Sequence, residues 1–216
     1  MILLSPIEAR VLGCLFEKSM TTPESYPLTL NSLTNACNQK SSRDPVMSLE
    51  DMEVLKAVAR LRDANLIVEK SELGSRVPKY VHRFENLLKS TPAEQAALCV
   101  LFLRGPQTPG EIRSRSGRLY EFKDPAEVET IFTSLMTRAD GPFVVKLPRQ
   151  TGHKENRYAH LFCGDPGVGQ EPEANAGALD VSTPSNGSTD RLARLEKRIE
   201  ELERIVEDLR KGSPSA

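Results

Sequence analysis

Ser5-Pro6-Ile7-Glu8-Ala9-Arg10-Val11-Leu12-Gly13-Cys14-Leu15-Phe16 and Thr91-Pro92-Ala93-Glu94-Gln95-Ala96-Ala97-Leu98-Cys99-Val100-Leu101-Phe102 are two versions of one stretch. Each opens with a hydroxyl residue suited to an N-cap, then Pro at the first helical position and Glu at the third, which makes a capping box. Behind that start the apolar residues match at an offset of 86: Leu12 with Leu98, Leu15 with Leu101, Phe16 with Phe102. The spacing puts them on one buried helix face. An internal duplication therefore decides the fold.

Working outward, the same offset pairs Thr22-Pro23 with Thr108-Pro109. A second helix is expected from about Leu28 to Gln39 in the first copy and from Pro109 to Tyr120 in the second. The third helix opens at Ser48 in one copy and at Asp124-Pro125-Ala126-Glu127 in the other. The offset has then shrunk to 76, so the first copy holds about ten extra residues in a loop. Met52, Leu55 and Ala59 match Val128, Ile131 and Leu135 as a helical stripe. Each copy closes on two short β-rich runs around a glycine-containing turn. These are Leu66-Ile67-Val68 and Tyr80-Val81 in the first, Phe143-Val144-Val145 and Tyr158-Ala159 in the second. Lys79-Tyr80 matches Arg157-Tyr158, and Phe84 matches Phe162.

Helix, helix, helix, hairpin is the order of a winged helix, whose hairpin is the wing. The expected fold is α+β, mainly α: two tandem winged-helix domains plus a C-terminal coiled-coil helix. The domains divide as 1–89 and 90–163, a flexible linker over 164–189, and a coiled-coil helix over 190–211. Each half is expected to close its own small core beneath its hairpin.

Several runs resemble the YceH family of bacterial proteins. They are Ala36-Cys37-Asn38-Gln39-Lys40, Arg43-Asp44-Pro45-Val46-Met47, Gly105-Pro106-Gln107-Thr108-Pro109-Gly110-Glu111, Tyr120-Glu121-Phe122 and Asp140-Gly141-Pro142-Phe143-Val144-Val145. The likeness covers residues 1–163 closely. It implies a tandem winged-helix fold and carries over no activity and no site residues.

Composition sets the bounds. The 216 residues are 38% hydrophobic and 27% charged, which suits a soluble globular chain. No apolar run approaches a membrane span, and the Met-Ile-Leu-Leu-Ser-Pro start lacks the basic and apolar regions of a signal peptide. A cytoplasmic protein without membrane association is expected. Cys14, Cys37, Cys99 and Cys163 lie far apart and read as reduced thiols, most of them filling core space. Residues 1–90 carry 12 Lys/Arg against 11 Asp/Glu, residues 91–163 carry 10 against 8, and residues 164–216 carry 7 against 11. Neither repeat is strongly basic, which weighs against tight binding to nucleic acid, an affinity that grows from phosphate neutralisation.

From Gly164 to Thr189 the chain is rich in Gly, Pro, Ser, Asn and Ala and reads as a linker. Beyond it, Leu192, Leu195, Ile199, Leu202, Val206 and Leu209 are spaced 3, 4, 3, 4, 3. Leu192, Ile199 and Val206 take a positions; Leu195, Leu202 and Leu209 take d positions. That pattern favours a parallel homodimer, with Arg191 facing the partner's Glu196 and Arg198 its Glu203.

A winged helix suggests duplex DNA as a partner, with the third helix in the major groove. Here those helices begin with acids: Glu50, Asp51 and Glu53, then Asp124, Glu127 and Glu129. Phosphates repel them. The candidate nucleic-acid contacts are instead Lys40, Arg43, Arg76, Lys79, Arg113, Arg115, Arg118, Arg149, Lys154 and Arg157, in loops, wings and the second helix. Arg115 and Arg118 are three apart and suited to one face. The competing expectation is a protein-binding adaptor, similar in layout to the bacterial condensin subunit ScpB. An enzyme is not expected, since no GxSxG, HExxH or Walker sequence is present, and no cofactor or metal is implied. The His160–Cys163 pair falls short of a zinc site.

Overall fold

The computed structural model describes residues 2–71, 77–149 and 155–166. It is an α+β arrangement in which helices dominate. In the first copy, α1 (Pro6–Thr21), β1 (Leu28–Thr29), α2 (Leu30–Cys37) and α3 (Asp51–Asp63) precede the hairpin β2 (Ile67–Lys70) and β3 (Lys79–His82). A single helical turn, α4 (Phe84–Leu87), leads to the second copy: α5 (Pro92–Arg104), α6 (Pro109–Arg115), α7 (Pro125–Thr137), β4 (Val144–Lys146) and β5 (Tyr158–His160).

Both capping boxes form. Ser5 Oγ accepts from the Glu8 N–H and Glu8 accepts from the Ser5 N–H at 2.7 Å; Thr91 and Glu94 repeat this, with Glu94 accepting at 2.8 Å. A third box, Thr108 with Glu111, starts α6.

The short strand β1 is absent from the sequence reading, which placed Leu28 in a helix. β1 pairs antiparallel with β3, Leu28 opposite Tyr80, giving the sheet order β1-β3-β2. In the second copy β4 pairs with β5, and Gln107 bridges Tyr158 as Leu28 meets Tyr80. The equivalence therefore extends to the residues that open the second helix. That helix is shorter than expected in both copies, and Arg118 lies beyond the end of α6 in a turn.

Two further expectations are corrected. The third helix of the first copy opens at Asp51, with Glu50 as its cap, rather than at Ser48. Its buried stripe is Val54, Val58 and Leu61, which stand where Val128, Phe132 and Leu135 stand in α7, an offset of 74. Met52 and Leu55 face solvent instead, 59% and 37% exposed. Sliding α3 by two residues turns its face by more than half a turn of the helical wheel, so a small alignment error exchanges core for surface.

The larger correction concerns the core. The two halves do not close separate interiors: one continuous cluster runs from Leu4 and Leu12 through Phe84 to Leu101 and Phe162, and the described residues fall in one compact unit. Its axis is the pair α1 and α5. Nine successive residues of α1, Glu8 to Phe16, are buried, as are all thirteen of α5 except Pro92, Gln95 and Arg104. A helix apolar on all sides is an internal one. Gly13 permits the close approach, with Cys99 Sγ donating to the Gly13 carbonyl at 3.6 Å. The backbones also join at Leu4 N–H to Phe162 O, 2.6 Å, and at Asp44 N–H to Leu103 O, 2.9 Å.

Arg10 completes the joint. It is 1% exposed and donates to the carbonyls of Cys37 (3.1 Å), Pro45 (2.7 Å) and Leu103 (3.5 Å). Cys37 ends α2 and Leu103 lies in the last turn of α5, so the guanidinium sits at the negative ends of two helices. Burial lowers its pKa, the usual cost of desolvating a cation. Cys14, Cys37 and Cys99 are buried thiols in this same core, and Cys163 is exposed.

Among the described residues no helix is long and apolar enough to cross a membrane. Leu192, Leu195, Ile199, Leu202, Val206 and Leu209, with most of the expected linker, lie outside the described residues.

Candidate nucleic-acid interface

The ten candidate cations meet different fates. Arg76 and Lys154 lie outside the described residues. Arg43 is not at the surface. Its Nε donates to the Ala36 carbonyl at 3.0 Å, and its two terminal nitrogens hold both oxygens of Glu17, at 3.1 and 2.5 Å. Burial disfavours its charge, but Glu17 outweighs burial and raises the pKa. The extra loop of the first copy is thus an internal strut: Arg43 fastens it to α1 and α2, and Pro45 receives Arg10.

Lys40, Arg118 and Arg149 are exposed and make no hydrogen bond or ion pair with another described residue. Arg113 is exposed and reaches the Phe122 carbonyl at 3.4 Å. Lys79 sits half-buried in β3.

Arg115 and Arg157 are brought together by Glu111. Arg157 donates to the Pro106 carbonyl at 2.7 Å and to Glu111 at 3.1 Å, with a closest ion-pair approach of 3.0 Å. Arg115 stands 3.5 Å from Glu111 and donates to Gln107 Oε1. Gln107, buried between the halves of this network, donates onward to the carbonyls of Arg104 and Pro106, both at 2.9 Å. One carboxylate thus serves the α6 cap and two guanidinium groups.

Arg104 is the cation the sequence reading missed. It ends α5, half-buried, and its side chain makes no hydrogen bond or ion pair with another described residue. Burial lowers its pKa first, then the like charges of Arg115 and Arg43, which outweigh Glu17 and Asp44. Its one signal in the sequence is its place before Gly105, a pair that marks a helix end and nothing more.

The third helices present the opposite character. Asp51, Met52 and Glu53 are exposed at the start of α3. α7 contains no Lys or Arg. Its Glu127 is tied to Tyr120 and the Lys123 N–H, and Thr130, Thr133 and Thr137 return their hydroxyls to the helix backbone.

A cleft of about 450 Å³ beside the chain start is lined by Ile2, Leu3, Leu4, Glu8, Arg60 and Leu61. Its carboxylate is committed: one oxygen caps α1 and the other meets Arg60 at 3.6 Å. His160 packs edge-on against Phe102, 4.8 Å between centroids, rather than gathering ligands with Cys163.

The chain belongs to the family described as "Protein of unknown function, DUF480", whose profile matches residues 4–153. It is similar to a UPF0502 protein of Vibrio campbellii, 49% identical over 200 residues, covering 91% of this chain and 89% of that one. UPF0502 proteins of Pectobacterium carotovorum (48% identical; 94% and 93% covered) and Aeromonas hydrophila (46%; 93% and 92%) are alike over the same extent.

Proposed function

We propose that the chain is a non-catalytic, cytoplasmic tandem winged-helix scaffold that associates with duplex DNA through the arginines around α6 and the neighbouring hairpin. The winged-helix reading is supported by the order of three helices and a hairpin in both copies, with the residues before the second helix meeting the second hairpin strand, as the strand β1 in the first copy and as the single bridge Gln107–Tyr158 in the second. The DNA reading rests on one observation. Arg104, Arg113, Arg115, Arg118 and Arg157 surround α6, while Glu111 is the carboxylate that Arg115 and Arg157 share. Guanidinium groups in excess of carboxylates suit phosphate contacts, which position a protein on the duplex without reading its sequence. The acidic starts of α3 and α7 argue that the third helices stay out of the major groove.

Fluorescence anisotropy with a labelled duplex at several salt concentrations tests this. Binding weakens steeply with salt, and replacing Arg113, Arg115 and Arg118 together lowers affinity for every sequence and flattens the slope. No anisotropy change with any duplex at low salt removes the proposal.

A protein-binding adaptor is the second reading, favoured by Val46 and Met52, both more than half exposed beside the acidic start of α3. Recovery of one stoichiometric protein partner, lost in Met52→Asp, supports it. The heptad residues Leu192 to Leu209 are proposed to join two chains, so that each particle carries four winged helices.

A further inference from the structure

We infer that the outer face of α3 is a contact surface for a second copy of this chain, packed antiparallel on the same helix of that copy through Met52, Leu55 and Ala59. The proposal rests on the heptad reading for what brings two chains together, not for the surface itself.

α3 carries two apolar stripes. Val54, Val58 and Leu61 face the interior. Met52, Leu55 and Ala59 follow helical spacing along the opposite side, outside the core cluster. Met52 and Leu55 are exposed, and Ala59 is half-buried. The fold does not require this second stripe. At the offset of 74 that aligns the buried stripes, the same face of α7 carries Ala126, Glu129 and Thr133, all exposed. One copy of the helix is therefore polar on its outer face where the other is apolar, although both fill the same place inside. A helix apolar on two sides buries one against its own domain and offers the other to another molecule.

The charges beside the stripe select the occupant. Helical spacing sets Glu53, Lys56 and Arg60 along one edge, and Asp51 and Arg62 along the other. On both edges the acid comes first and the base later. A helix with that order complements an antiparallel copy of itself. With Met52 level with the second copy's Ala59, Glu53 comes between its Lys56 and Arg60, and Asp51 comes level with its Arg62. Asp63 meets the start of that helix, where a carboxylate is favoured. The bases are open to new partners. Lys56 is exposed and makes no hydrogen bond or ion pair with another described residue. Arg60 meets Glu8 at 3.6 Å with its side chain 75% exposed, and Arg62 meets Glu69 at 3.4 Å with its side chain 54% exposed.

One face of a thirteen-residue helix buries less than the roughly 1,200 Å² of a stable interface. Two untethered chains therefore stay apart at dilute concentration. Chains joined by the heptads meet at an effective concentration on the order of millimolar, which suits a contact of this size.

The test uses the full chain with Cys163→Ser, which removes the exposed thiol and leaves the three buried ones. In the antiparallel register the two Leu55 side chains stand beside the two-fold axis, so Leu55→Cys brings two thiols together. Under mild oxidation it is expected to form a covalent dimer roughly 10-fold faster than Thr133→Cys on the matching face of α7, which the same tether brings only into random collision. Met52→Asp should remove that advantage. Glu53→Lys should slow the linkage as well, and Lys56→Glu added to it should restore part of the rate, a rescue that loss of the helix cap does not predict. Equal rates for Leu55→Cys and Thr133→Cys, in particles that light scattering shows to hold two chains, overturn the α3 contact and leave the heptad reading standing. Particles of one chain remove the heptad reading. A Leu55→Cys preference at millimolar protein concentration then keeps the α3 surface, and its absence overturns that too.

Discussion

Gly13 of α1 and Leu103 of α5 meet so closely that a β-carbon on the glycine would stand 3.1 Å from Leu103 Cδ2, and equally near Phe102 Cβ. The two repeats touch there along their most buried helices.

The first prediction follows from this contact. Gly13→Ala gains about 1 kcal/mol of helix propensity but overpacks a full interior, which costs about 1–3 kcal/mol. A net loss of roughly 1 kcal/mol is expected in urea unfolding. Gly13→Val should lose more and broaden the transition. The wild-type unit should unfold in one step by every probe, and a fragment ending at residue 89 should fail to fold. Two separate transitions would contradict the shared core.

Arg43 and Glu17 furnish the second. Removing one partner of a buried ion pair leaves its mate uncompensated, typically at about 3–5 kcal/mol. Arg43→Gln should therefore lower stability by that order. At temperatures where the variant stays folded, its duplex affinity should match the wild type, because this guanidinium lies inside the molecule. Weaker duplex binding with unchanged stability would return Arg43 to the surface role that the sequence suggested.

How much was legible in the sequence is clearest from these residues. Ser5, Glu8, Thr91 and Glu94 announced both helices because capping is local and depends on residues three apart. Tyr80, Phe84, Tyr158 and Phe162 announced the hairpins for the same reason. Arg43 was illegible: a lone arginine in a polar loop looks solvated until the fold brings Glu17, twenty-six positions away, beneath it. Arg104 was hidden by a sufficient local explanation, the end of α5. The merged core was hidden because a buried helix and a half-buried one share the same apolar stripe. What separates them is the polar face, and in α5 that face is nearly missing.

Histidine supplies a pH prediction. His160 is half-buried, its Nδ1 lacks a partner among the described residues, and burial depresses its pKa from 6.5 to about 4. Burial also lowers His82, whose Nδ1 accepts from the Phe84 N–H while Nε2 meets Ser19 Oγ at 3.0 Å. Both are stable neutral, so the unfolded chain binds the extra protons. Stability is then full above pH 6.5 and falls as pH drops toward 4. The His160 share is at most about 3 kcal/mol. Melting temperatures of wild type and His160→Leu across this range provide the check: the substitution should flatten the slope, and an unchanged slope would assign the loss to other groups.

The third helices yield a charge prediction. Replacing Glu50, Asp51 and Glu53 by Ala removes repulsion together with the α3 capping box, in which Glu53 accepts from the Glu50 N–H at 2.9 Å, so stability should fall somewhat while the duplex affinity of the folded protein stays level or rises. A fall in affinity would place α3 in the groove after all.

Light scattering on the full chain and on one ending at Thr189 checks self-association. The shorter chain should form particles of one chain where the full chain forms particles of two, and an equal number of chains per particle would remove the heptad assignment.

Because the repeats share an interior, their two hairpins are held at a set separation, as the jaws of a fixed gauge are. The same union ties their descent together: a substitution along α1 alters the ground on which α5 rests, so neither copy is free to drift toward a new task alone.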